Sequence, residues 1–150
     1  MSLYCKRKQQ LQIKNTNHHE KNCSSFDCRF ICNRFGGFTT KTANDPWPVP
    51  DAYKNKANPR TSNAESLANG KTLWNQHCKS CHGSKGKGDG PKAAQLDTDC
   101  GDFTKPAFKN QDDGSMYYKT EKGRKDMPSY KTKIPDANDL WDLVNYMKSL

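Results

Sequence analysis

Residues 78–82 read Cys78-Lys79-Ser80-Cys81-His82, a Cys-x-x-Cys-His run, and no other stretch constrains the chain as strongly. This spacing is the signature of covalent c-type haem attachment. Two thiols three positions apart can add across the two vinyl groups of one porphyrin. The histidine that follows directly then lies under the iron and can donate a ring nitrogen to it. Cys78 and Cys81 are therefore the expected thioether residues of one haem c, and His82 is its expected proximal ligand. Three other readings compete. A redox disulfide needs a βαβ context, and no Val/Ile-rich strands flank the run. A zinc site needs a second pair of ligands, and no further Cys-x-x-Cys or His-x-x-x-His follows. Chance occurrence is the third.

Composition matters here for what it leaves unsupplied. Only 32% of the 150 residues are hydrophobic, and the mean hydropathy is −1.12. Such a polar chain has difficulty building a large core from protein alone. The apolar faces of a bound porphyrin would relieve that shortage. The net charge of +9 is uneven. Residues 1–38 hold seven basic and two acidic side chains, whereas residues 39–150 hold 18 and 14. The region around the motif is only mildly basic, and no focused basic stripe marks a nucleic-acid binder. No segment is long and apolar enough to span a membrane.

Along the chain, residues 39–63 form a Pro/Asn/Lys-rich lead-in. Pro46, Pro48 and Pro50 favour extended backbone there. Trp47 and Tyr53 are candidate anchors onto the following domain, with a plain linker as the alternative. A first helix is expected from residue 64 to about 79, with Leu67, Gly70, Leu73, Trp74 and His77 on one face. Gly70 weakens a helix interior, which points to close approach of another helix there. Residues 83–91 are a glycine-rich loop. It is no phosphate loop, because no strand precedes it and no Gly-Lys-[Ser/Thr] follows. A short turn is expected at 92–96 and a loop at 97–111. A second helix runs over 113–122, capped by Asp113 or Ser115 and ended by Gly123. The last helix follows Pro135, with Asp136 as N-cap and Leu140, Leu143, Val144, Met147 and Leu150 as its apolar stripe.

Met127 is the expected sixth iron ligand. Met116 and Met147 sit in helical apolar patterns and read as core. Met127 lies in the polar stretch Gly-Arg-Lys-Asp-Met-Pro-Ser-Tyr, where a haem iron supplies the partner its thioether otherwise lacks. His77 and the pair His18-His19 are rival ligands. Met/His ligation raises the haem potential and leaves no open site, which favours electron transfer.

These pieces together resemble the class I mono-haem cytochromes c of bacterial type. The resemblance rests on Gly70-x-x-Leu73-Trp74, on His82-Gly83-x-x-Gly86-x-Gly88-Asp89-Gly90-Pro91, and on Asp102-Phe103-Thr104. Gly123-x-x-x-Met127-Pro128 and the terminal Leu140-Trp141-x-Leu143-Val144-x-Tyr146-Met147 complete it. It covers roughly residues 64–150. It implies an all-α fold of three to four helices around one covalently bound haem. It also implies a one-electron carrier with no catalytic residues, and the helix contact at Gly70 becomes the one with the C-terminal helix. Pro91 sits where the family places a proline whose carbonyl receives the proximal histidine's ring N–H. Implied partners are redox proteins of a respiratory chain, a quinol-oxidising donor and a terminal oxidase or reductase. The implied location is periplasmic or otherwise extracytoplasmic, free or held by an N-terminal anchor. Lys79, Lys85 and Lys87 flank the motif and either suit an acidic partner or form a solvated face with no docking role. The alternatives are a catalytic or ligand-sensing haem with a displaceable Met127, and a non-haem zinc module. Cys100 reads as a small buried hydrophobe or a dimer-forming thiol.

Residues 1–38 lie outside the resemblance and read as a non-domain segment. Its His18, His19, Cys23, Cys28 and Cys32 match no standard metal spacing. A c-type haem is attached outside the cytoplasm, yet no export signal is visible as written. Reading the codons of His19 to Phe38 one base later permits a Met start at His19-Glu20. Lys or Arg follows from Glu20 and Lys21. An apolar run follows through Asn22, Cys23, Asp27, Cys28, Phe30-Ile31-Cys32-Asn33 and Gly36-Gly37, with no forced stop. That is the layout of a signal peptide or anchor. The expectation is therefore a frame-shifted signal peptide, with only Cys78, Cys81 and Cys100 in the true protein. Resequencing codons 19–40 checks it, and an intact frame with native protein beginning at Met1 would end the idea.

Overall fold

A computed structural model describes residues 46–150. Among these residues the regular structure is helical, with a single isolated bridge between Arg124 and Met127 and no strand. The helices are α1 (Asp51–Lys54), α2 (Ala64–His77), α3 (Lys79–His82), α4 (Pro106–Lys109), α5 (Asp113–Lys122) and α6 (Ala137–Ser149), with a 3₁₀ turn at Ala93–Gln95. Three are single turns, so α2, α5 and α6 form the frame. The all-α expectation holds.

Local chemistry accounts for the ends of these helices. Asn63 caps α2 by accepting the Ser66 N–H at 2.9 Å. Asp136 caps α6 by accepting from the Asn138 N–H at 2.8 Å. The cap of α5 is Asp112, not Asp113 or Ser115. Its carboxylate accepts from the Ser115 N–H at 2.6 Å and the Ser115 hydroxyl at 2.8 Å, so Ser115 is the donor. A side chain can cap only from outside the first turn. Gly123 ends α5 at φ +67°, left-handed backbone that suits glycine.

The first helix ends two residues earlier than its periodicity suggests. At Cys78 the backbone leaves regular helical geometry, with φ −112°, and α3 begins as a separate turn. The loop expected over 97–111 contains α4, whose Phe108 stacks on Phe103 at 3.8 Å between ring centroids.

The core sits where α2 crosses α6. Ser66, Gly70 and Trp74 are the buried positions of α2, four residues apart. Gly70 is needed there for room. A Cβ at that position would run into the backbone carbonyl of Asp142 on α6 and stand 2.7 Å from Tyr146 Cβ. The expected face of Leu67, Leu73 and His77 lies to one side and is only half-buried. From α6, Leu140, Leu143, Val144 and Met147 are buried as the stripe predicts. Asp142 and Asn145 are buried with them.

The buried carboxylate carries a full set of partners. Ser66 Oγ donates to Asp142 Oδ1 at 2.6 Å, and Arg60 Nε donates to the same oxygen at 2.9 Å. Arg60's second nitrogen and Asn69 reach Oδ2 at 3.1 and 3.0 Å. Asn145 donates to Ser66 Oγ at 2.9 Å and accepts from Asn58 at 2.9 Å. This network ties Asn58 and Arg60 of the lead-in to both helices. Earlier in the lead-in, Tyr53 packs against Tyr118 of α5 at 4.7 Å and donates to Glu121 at 3.3 Å.

Burial pushes the Asp142 carboxyl up, but the hydrogen bonds from Arg60, Ser66 and Asn69 and the charge of Arg60 outweigh it. The net pKa lies below the ordinary value. Its contribution to stability is therefore present above about pH 4 and is lost as pH falls through the lower folded value. Asp142→Ala strands several donors. It should cost about 3 kcal/mol, toward the low end for a broken buried pair because Arg60 is 37% exposed. Urea unfolding at pH 7 and pH 3 checks both parts, with the difference between variant and parent shrinking in acid.

Candidate functional site

The α2–α3 break presents Cys78, Cys81 and His82 together. Residues three and four apart share a helix face, and Cys81 and His82 donate their backbone N–H groups to the Cys78 carbonyl at 3.1 and 2.9 Å. All three line one cavity of about 370 Å³. Trp74, wholly buried, anchors the turn that follows by donating Nε1–H to the Gly83 carbonyl at 3.0 Å.

Neither cysteine of the motif is in a disulfide. Burial, with the neighbouring Cys81, pushes the Cys78 thiol up to about 12. A redox dithiol needs the opposite, a thiolate stabilised at an accessible, electropositive position. Among the described residues, no group of three or more His, Cys, Asp or Glu is placed to hold a metal ion, so nothing there completes a zinc site.

The His82 ring is set by a single acceptor. Its Nδ1 lies 2.8 Å from the Cys100 carbonyl oxygen. A carbonyl can only accept, so Nδ1 carries the proton and Nε2 keeps a lone pair. Burial lowers the ring's pKa despite the opposing pull of that carbonyl, so the neutral form is favoured. Phe103 and Trp74 flank the ring at 4.9 and 5.7 Å. A neutral imidazole held by a backbone bond on the far nitrogen is the usual state of a metal ligand.

This corrects the expectation for Pro91. Pro91 is exposed and lies outside the cavity wall. The acceptor lies nine residues further on, at Cys100. Gly90, next to Pro91, instead presses its backbone on Ser80 and Cys81, where its N–H donates to the Cys81 carbonyl at 3.1 Å. Cys100 itself is half-buried, and its part in the site is this backbone carbonyl.

Met127 reaches the same cavity from the loop after α5. A tight hairpin holds it. Arg124 N–H donates to the Met127 carbonyl at 2.8 Å and Met127 N–H to the Arg124 carbonyl at 3.0 Å, with Lys125 at φ +53° in the turn. Gly123 lets the returning chain pass closely, because a Cβ there would meet the Met127 carbonyl and the Ser129 N. Met116 and Met147 also touch the cavity, but they are 2% and 4% exposed and belong to the core cluster. His77 lines the cavity as well, and its ring packs edge-on to Tyr130. His18, His19, Cys23, Cys28 and Cys32 lie outside the described residues.

One tie in the site escaped sequence reasoning. The Thr98 N–H and hydroxyl both donate to Asp126 Oδ2, at 2.9 and 2.7 Å. This links the loop that supplies the Cys100 carbonyl to the loop that carries Met127. No local pattern pairs residues 28 positions apart.

The donor set fits a c-type haem: two thiols free of any disulfide, a neutral imidazole with its second nitrogen committed, and a thioether, all on one cavity walled in part by Trp74, Phe103, Phe108 and Tyr130. An all-α domain built this way belongs among the proteins that carry haem for electron transfer. The chain is a member of the cytochrome c family, whose model, described as "Cytochrome c", matches residues 67–150. No curated protein matches it. Among solved structures it is similar to a chain of the reducing HAO-like protein complex from Kuenenia stuttgartiensis, at 25% identity and a TM-score of 0.55. That match covers 71% of this chain but only 51% of the other, so this chain spans about half its length.

Trp74→Phe keeps the ring and removes the donor to the buried Gly83 carbonyl. The expected loss is about 1–3 kcal/mol of stability, read from urea unfolding of the variant beside its parent.

Proposed function

We propose that this chain is a one-electron carrier with a single haem c, attached through thioethers to Cys78 and Cys81 and ligated by His82 and Met127. The observation that carries the reading is that an imidazole on α3 and a thioether on the loop after α5 line the same cavity, the loop that holds the imidazole being tied to the loop of the thioether at Thr98 and Asp126. A haem held there by Cys78, Cys81, His82 and Met127 would supply an Fe(II)/Fe(III) couple. The protein's part is to hold His82 in one tautomer through Cys100, to hold Met127 on its hairpin, and to keep water from the iron with Trp74, Phe103 and Phe108. Lys79, Lys85 and Lys87 are exposed beside the motif and suit docking to an acidic redox partner. The partners we infer are a quinol-oxidising donor and a terminal oxidase or reductase, in the periplasm or another extracytoplasmic space. In this reading residues 64–150 are the carrier domain, 39–63 its lead-in, and 1–38 a non-domain segment that is a frame-shifted reading of a signal peptide.

A second reading takes its support from the similarity to a reducing HAO-like complex. There the haem would be catalytic or ligand-sensing, with Met127 displaceable. The two readings differ in how firmly Met127 is held.

Protein made with a cytochrome c maturation system should give a pyridine haemochrome for one haem c. Met127→Ala should abolish the weak sulfur-to-iron band near the red end of the oxidised spectrum. The reduced parent should be insensitive to carbon monoxide, and the variant sensitive. A band that survives in the variant removes Met127 as ligand, and a parent that binds carbon monoxide readily favours the second reading.

A further inference from the structure

Lys119 is a cation in an unusual place. It lies on α5, half-buried, and lines the cavity. Its ammonium group donates to the side-chain carbonyl of Gln111, a neutral partner. No carboxylate of the described residues pairs with it. The carboxylate whose charge acts on it is Asp112, whose two oxygens already serve Ser115. A second cation stands alongside. The Arg124 guanidinium lies 4.7 Å from the Trp47 ring centroid, and Lys119 lies 6.0 Å from the same centroid. Arg124 also donates to the Pro46 carbonyl at 2.8 Å. Trp47, Gln111, Lys119 and Arg124 all line the cavity.

Partly burying an ammonium against a neutral partner is unfavourable unless an anion joins it. Burial and Arg124 both push the Lys119 pKa down, and only Asp112 opposes them. Two cations stacked over one indole, with an amide beside them, make a cradle for a carboxylate. The haem proposed for this cavity carries two carboxylates as its propionates. Its vinyl carbons would be taken by Cys78 and Cys81 at the α2–α3 junction. A porphyrin bears its propionates on the edge away from those vinyls. Lys119 and Arg124 come from α5 and the loop after it, not from the junction that carries the thiols.

We infer that Lys119, backed by Gln111 and Arg124, is the binding site for a haem propionate, with Trp47 of the lead-in closing over it. The inference rests on the haem reading above and adds to it the residue that neutralises the cofactor's own charge. It also assigns a task to the lead-in, which would hold the two cations in register over the propionate edge.

Resonance Raman spectra of the matured holoprotein test it through the propionate-bending modes. The parent is compared with Lys119→Met, Lys119→Arg and Lys109→Met, where Lys109 is an exposed lysine on α4. The expected result is a displaced bending band in Lys119→Met, a parental band in Lys109→Met, and return toward the parent in Lys119→Arg. An unmoved band in Lys119→Met, or an equal displacement in Lys109→Met, overturns the assignment while leaving the haem reading intact. A parent that gives no pyridine haemochrome overturns the haem reading itself, and the assignment with it. A crystal structure of the holoprotein needs no variant. Lys119 Nζ within about 4 Å of a propionate oxygen supports the site, and a longer separation overturns it.

Discussion

The structure depends on how closely α2 can approach α6. At Gly70 the backbone of one helix lies against the Asp142 carbonyl of the other, with no room for a single methyl group. Interaxial distance follows the side chains at the contact, and glycine permits the short end of the range. Everything around the crossing takes its position from that contact. Trp74, one turn further along α2, reaches the base of the glycine-rich loop. Cys78, one turn beyond that, begins the motif. The crossing therefore sets the depth at which the thiols and His82 meet the cavity.

A close helix contact normally buries only apolar groups. Here it also buries a charged carboxylate, and the network around Asp142 is the consequence. A buried ionic group is tolerated when its lone pairs are all met. Ser66, Asn69 and Arg60 meet them, and Asn145 joins in through Ser66. Because Arg60 and Asn58 belong to the lead-in, the network also fastens that segment across both helices. The lead-in then continues along α5 through Tyr53 and reaches the cavity at Trp47. Two regions that look separate in the chain, the polar lead-in and the functional cavity, are thus mechanically one.

The cavity is enclosed largely by loops, and hydrogen bonds in place of a sheet or further helices give those loops their shape. The bond from His82 to the Cys100 carbonyl and the Arg124–Met127 hairpin shape the two sides of the cavity, and the Thr98–Asp126 tie joins them directly. A chain with so few hydrophobic residues cannot fill this space with its own side chains. A large apolar cofactor of the kind the cytochrome c family carries would resolve that shortage.

Much of this was legible in the sequence, and the reason is locality. The Cys-x-x-Cys-His run places its groups by helical spacing alone, the N-cap of α6 and the end of α5 follow from adjacent residues, and the α6 stripe follows from its period. Met127 stood out because its neighbours are polar. What the sequence could not display were relations between distant residues and contributions from backbone. Ser66 and Asp142 look like ordinary surface positions until they meet across 76 residues. The acceptor for His82 is a carbonyl, a group every residue possesses, so no side-chain pattern could distinguish Cys100 from Pro91. Local chemistry determined which groups the chain can offer to a cofactor. Only the tertiary structure, by bringing remote polar groups and anonymous backbone oxygens within hydrogen-bond reach, decided how they are held.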